Sequence, residues 1–138
     1  MTKTIFVDSS AFIAMANQGD QYHPAAKDFL AEITATNFRL ITSNFVLDEA
    51  YTHIKRAGGS KLAIDFGNEI QSNSNVKIIT IDQKLEKRAW DIFKKYLDQT
   101  FSYTDCASFA LMEGRKIADA FSFDRHFRIF GFNSLPQI

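Results

Sequence analysis

Residues 3–12 read Lys3-Thr4-Ile5-Phe6-Val7-Asp8-Ser9-Ser10-Ala11-Phe12. An apolar run of three ends in one acid, then come two hydroxyls and residues that suit a helix. Residues 3–8 are expected to form a short buried strand, followed by a helix at about 10–17. The same grammar returns near the other end, where the strand-like Ala120-Phe121-Ser122-Phe123 runs into Asp124. Two strands, each ending at an acid, decide how the rest of the chain is read.

Working outward, residues 22–35 read as an amphipathic helix with Tyr22, Ala26, Phe29, Leu30 and Ile33 on one face and Pro24 in its first turn. A second strand is expected at Arg39-Leu40-Ile41-Thr42. Ser43 or Asn44 then caps a helix that reaches about Arg56 and stops at Gly58-Gly59. Residues 60–72 make a weaker helix, interrupted by Gly67, and residues 76–80 a third strand. Residues 82–97 give the clearest amphipathic pattern, with Leu85, Ala89, Ile92, Phe93 and Tyr96 against Lys84, Lys87, Arg88, Asp91, Lys94 and Lys95. Residues 103–114 form a very apolar helix ended by Gly114; a fourth strand follows at 116–121, then one helical turn and a short last strand within 127–132. This alternation predicts an α/β fold with a mainly parallel sheet of four to five strands. Right-handed crossovers place the strand C-termini along one edge, where ligands of such sheets bind.

The chain has 138 residues, which suits a single domain over 1–138, and no repeat or linker divides it. At 46% hydrophobic residues it can pack a core without disulfides. Cys106 is the lone cysteine, so an internal disulfide and any multi-cysteine metal site are excluded. It lies in the apolar helix and reads as a small core residue. No signal-peptide pattern or stretch long enough to span a bilayer occurs, so a cytoplasmic location without membrane contact is expected. Sixteen basic and sixteen acidic residues cancel. Global charge therefore does not argue for nucleic acid, although a local basic rim would vanish in such a sum.

Four acids fall at the expected ligand edge, and each has an ordinary explanation. Asp8 could cap the following helix, although Ser9 and Ser10 could do so instead. Glu49 has the polar neighbours Thr52, His53 and Arg56 at helical spacing, the mark of a solvated face. Its position roughly 9 Å into its helix would still let it lean back toward the edge. Asp105 could be the return arm of a capping box over Ser102-Tyr103-Thr104-Asp105. Asp124 could serve a turn or cap before Arg125-His126-Phe127. Taken together, carboxylates gathered at one edge repel unless cations or protons lie between them. Hard divalent metals answer that need, which points to metal-dependent phosphodiester chemistry. The three histidines are scattered, without the spacing of a His-based zinc site. His126 could contact a phosphate near the site, but a surface or packing role is expected. The basic face of the 82–97 helix is expected as solvated surface, with a role in steering RNA as the alternative.

The blocks Phe6-Val7-Asp8-Ser9-Ser10-Ala11-Phe12, Leu47-Asp48-Glu49-Ala50, Tyr103-Thr104-Asp105 and Phe121-Ser122-Phe123-Asp124-Arg125-His126-Phe127 resemble the PIN domain. The closest likeness is to the VapC toxins of toxin–antitoxin pairs, over nearly the full length. The resemblance implies a three-layer α/β/α sandwich with Asp8, Glu49, Asp105 and Asp124 as the catalytic acids. Asp8, Asp105 and Asp124 would be the ligands of Mg²⁺ or Mn²⁺. Ser9 and Ser122 would support them; many members carry Thr at the position of Ser122. It further implies cleavage of RNA, homodimerisation and inhibition by a small antitoxin protein. Other PIN domains process RNA without being toxins. An aspartyl-nucleophile phosphohydrolase fits less well, because Ser10 stands where such enzymes place a second Asp. A non-catalytic RNA-binding module would have little use for all four acids.

Overall fold

The computed structural model describes residues 2–137. Five strands form one sheet, all parallel, in the order β3-β2-β1-β4-β5. Strand β1 (Lys3–Val7) takes the centre because Ile5, Phe6 and Val7 are apolar on both faces and wholly buried. On one side lie β2 (Phe38–Ser43) and the edge strand β3 (Val76–Ile79). On the other lie β4 (Asp119–Phe121) and β5 (Asn133–Leu135). Phe6 pairs with Ile41 of β2 and Ala120 of β4, and Val7 pairs with Phe121. The C-terminal ends of β1 and β4 are thereby level.

Helices α1 (Ser9–Ala16), α2 (His23–Thr34) and α4 (Ser60–Ser72) cover one face, where Phe121 meets Phe29 and Phe12 meets Phe66. Helices α5 (Gln83–Lys95), α6 (Tyr103–Arg115) and the short α7 (His126–Phe130) cover the other, where Phe127 packs on Phe6 and Phe109. Helix α3 (Asn44–Gly58) leaves the end of β2 and touches α1, α4 and α6. The result is the expected three-layer α/β/α arrangement. Phe6, Phe12, Phe109, Phe121 and Phe127 are fully buried, and each stabilises the fold by roughly 1.5–3 kcal/mol. No helix among the described residues is long and apolar enough to cross a membrane.

Local chemistry explains the boundaries that differ from expectation. The fourth strand begins at Asp119, not at 116. Lys116 instead closes α6 in the left-handed conformation, φ 56°, and the Ile117 amide donates back to the Met112 carbonyl. The last strand falls at 133–135, because residues 126–130 complete a helix before Gly131 turns the chain. Gly67 does not interrupt α4. It lies against the Tyr51 ring, where a Cβ would stand 3.3 Å from the ring edge, so glycine there serves helix-to-helix approach. Phe93, expected on the buried face of α5, is 42% exposed beside Trp90 at 50%. Asp82 caps α5 by accepting from the Leu85 amide.

Candidate active site

The strand order reverses between β1 and β4, which opens a crevice at their C-terminal ends. Asp8 follows β1 directly, and Ser122 and Asp124 follow β4. Asp105 lies in the first turn of α6, and Glu49 in α3, the helix that leaves β2. All four expected acids therefore reach one edge, each carried by a different element.

Asp8 is only 3% exposed. Its carboxylate caps nothing, although Asp8 stands at the start of α1. The Ser10 hydroxyl donates to Asp8 Oδ2 at 2.9 Å and the Ser122 hydroxyl to the same oxygen at 3.1 Å. These hydroxyls are themselves fixed: the Phe123 amide donates to Ser10 Oγ at 2.9 Å, and the Asp124 amide to Ser122 Oγ at 3.0 Å. One lattice of hydrogen bonds thus ties the ends of β1 and β4 together around a buried carboxylate. Burial, then the charge of Asp105, push the Asp8 carboxyl up to about 7; Asp124 adds to the rise, against the Ser10 hydroxyl and the Ser9 amide. Ser9 does not cap α1 either. Its hydroxyl donates to Glu49 Oε1 and holds that half-buried acid at the rim.

Asp105 has two duties. Its amide donates to Ser102 Oγ at 2.9 Å, and its Oδ2 accepts from the Ser102 amide at 3.0 Å, a complete capping box. The same Oδ2 lies 2.8 Å from His126 Nδ1, which is also 3.3 Å from Asp124 Oδ1. Burial is the main force raising the Asp105 carboxyl, opposed by the Ser102 amide and by His126. Asp124 Oδ1 accepts from the His126 amide at 3.0 Å, as the turn reading expects, and the same carboxylate faces Asp105 and the His126 ring.

His126, expected first in a surface or packing role, lies inside the acidic cluster. Its side chain is 15% exposed and lies between two acids. Thr100 Oγ1 sits 3.0 Å from Nε2, and the Phe101 ring packs edge-on against the imidazole. The available signal was its place two residues after Asp124, on the turn that leaves the ligand edge. Ser10, a candidate helix cap in the sequence, instead donates to Asp8. Cys106 is buried, and burial, with Asp105 adding to it, pushes its thiol up to about 11. Its part is therefore structural.

Ligand atoms of Asp105, Asp124 and His126 all lie within 4.8 Å of one another, a spacing that would accept a metal ion. Asp8 lies alongside, its charge coupled to both acids. Oxygen-rich donors with one imidazole suit Mg²⁺ or Mn²⁺, and a cation would relieve the repulsion that raises Asp8. Fold and site together define a parallel α/β/α protein with an acidic centre at its switch point that could hold a cation.

The chain belongs to the PIN domain family, which matches residues 5–133. It is 33% identical over 128 residues to the 23S rRNA-specific endonuclease VapC20 of Mycobacterium tuberculosis, covering 93% of this chain and 95% of the relative. The crystal structure of Mycobacterium tuberculosis VapC20, described as a Sarcin-Ricin loop cleaving toxin, superposes with a TM-score of 0.86 at 32% identity, again over 93% and 95% of the two chains. VapBC2 of Rickettsia felis, crystallised with a promoter DNA fragment, shares the fold at a TM-score of 0.68 and 10% identity, over 95% of this chain and 96% of that one.

Proposed function

We propose that this chain is a divalent-metal-dependent endoribonuclease, acting as the toxin of a toxin–antitoxin pair in the cytoplasm. The observation that carries the reading is the convergence of Asp8, Asp105, Asp124 and His126 at the β1/β4 crevice, with Asp8 buried and held near 7. The likeness to an rRNA endonuclease across 93% of the chain supplies the substrate class.

Asp8, Asp105 and Asp124 would hold Mg²⁺ or Mn²⁺, with Glu49 at the rim. When bound, such an ion lowers the pKa of water and neutralises charge on a phosphodiester. The chain's own residues supply position. Ser10 and Ser122 fix Asp8 Oδ2. Thr100 and Phe101 lock the His126 ring, which in turn orients Asp105. Ser9 keeps Glu49 turned toward the edge. Burial of Asp8 keeps bulk water from competing for its oxygens.

Purified protein incubated with ribosomal RNA should produce discrete new ends in Mg²⁺ or Mn²⁺ and none with chelator. Asp8→Asn and Asp124→Asn should each lower the cleavage rate by about 100-fold or more. Cleavage that persists undiminished in chelator, or in Asp8→Asn, would overturn the assignment. The toxin role includes a small antitoxin that covers the acidic edge and a homodimeric assembly. An antitoxin Arg or Lys can pair with carboxylates as a cation does. Expression of the wild-type chain alone should then slow growth, and Asp124→Asn should relieve it. Retained cleavage with harmless overexpression would assign the enzyme to RNA processing instead.

A further inference from the structure

At the opposite end of the sheet from the acids, a cleft of about 500 Å³ is lined by Lys3, Arg39, Lys77, Arg115 and Lys116, with Asp119 as the one acid. The five cations come from the starts of β1 and β2, from β3, and from the end of α6. In a chain of zero formal charge, nearly a third of the 16 basic residues face one concavity. Asp119 pairs with Lys3 at 3.6 Å. Arg39, Lys77, Arg115 and Lys116 have no acidic partner within ion-pair distance among the described residues.

Helix-end electrostatics accounts for only part of this. Arg115 and Lys116 sit where cations complement a helix C-terminus. Lys3, Arg39 and Lys77 are strand residues and gain nothing from that dipole. Lys116 also occupies a left-handed position, φ 56°, that glycine fills at lower cost. A strained, charged residue at a helix stop, facing other unpaired cations, is a feature that a bound polyanion would explain.

We infer that this cleft is a second phosphate-binding site, one that grips the backbone of a folded RNA away from the point of cleavage. The inference rests on the ribonuclease reading for the choice of RNA. Strand β1 has five residues, so cleft and acidic centre are separated by roughly 15–20 Å. A short single strand lying in the crevice cannot easily engage both, whereas a stem or the flank of a folded RNA can. The cleft should therefore favour structured over short linear substrates and leave the chemical step untouched.

The test compares wild type, Arg39→Glu/Lys77→Glu and Lys116→Gly in chelator, where no cleavage occurs. Binding of a ribosomal stem-loop RNA and of a short single-stranded oligonucleotide is read by fluorescence anisotropy across salt concentrations. For the stem-loop, the double variant should bind at least about tenfold more weakly, with a log K against log salt slope shallower by about two phosphate contacts, each about 0.7–0.9. Its affinity for the short oligonucleotide, and its rate of cleaving it in Mg²⁺, should match wild type. Lys116→Gly relieves backbone strain, so it should stay folded while weakening stem-loop binding in the same direction. Unchanged stem-loop affinity and slope in both variants would overturn the inference. So would losses seen only for duplex DNA or for a poly-glutamate peptide. If wild type binds the stem-loop through these residues yet cleaves no RNA, the nuclease reading fails while the binding site stands.

Discussion

Asp8 is the residue on which the site turns. Its ordinary value is 3.8, and in the folded chain it keeps its proton up to about 7. Between those values the folded state holds a proton that the unfolded state has released. Metal-free stability should therefore fall as pH rises from about 4 to about 7, by a few kcal/mol, and level off above that. Asp105 shifts in the same direction, driven first by burial, and adds to the fall. Urea unfolding of chelator-treated protein at several pH values checks this, and Asp8→Asn should flatten most of the slope. A wild-type curve that is flat from pH 4 to 8, or rises, would contradict a crowded acidic centre. At this scale the acids themselves were legible in the sequence, because each follows a strand or opens a helix at the same edge. Their partners were not. Which hydroxyls meet at Asp8 depends on the approach of loops more than a hundred residues apart, as for Ser10 and Ser122, and which ring lies between Asp105 and Asp124 depends on how the turn after β4 packs on the start of α6.

Among the elements, α6 shows how a capping motif and an acid of the candidate site share one side chain. The capping box gives Asp105 a reason to exist without any chemistry, and the ring of His126 gives it a second. The two duties separate by mutation. Ser102→Ala should cost about 1 kcal/mol of stability while leaving metal affinity nearly unchanged, since the Ser102 amide still reaches Asp105. Asp105→Asn should do the reverse, holding the cap and losing the cation. Thermal melting and metal titration of both variants distinguish these outcomes. At the other end of the helix, Lys116→Gly should raise stability by about 1 kcal/mol, by removing the left-handed strain. Helix periods and caps made the elements readable. The start of β4 was misplaced because Lys116 takes a conformation that the sequence signals only with glycine, and Gly67 reads as a break where Tyr51 needs the space.

For the whole molecule, the parallel sheet follows from two apolar strands that end in acids and from the helices between them, so topology was the most legible level. The polarity of the molecule was invisible in a net charge of zero. Acids collect at the C-terminal edge of the sheet and unpaired cations in the cleft at the other end. Only folding separates them, by sending strand ends and helix starts to one edge and helix ends to the other. The acidic edge stores repulsion; on the proposed metal-dependent reading a cation would release it, which would link stability to metal. Mn²⁺ at 100 times its dissociation constant should add about 2.7 kcal/mol to the stability of the wild type. The most direct measurement is a calorimetric titration of Mn²⁺ and Mg²⁺ into metal-free wild type, Asp8→Asn and Asp124→Asn at neutral pH. The expected result is saturable binding to the wild type, with a matching rise in melting temperature, and a loss of at least about tenfold in affinity in each variant. Equal binding by all three proteins, or none by the wild type, would contradict an acidic centre built to hold a cation.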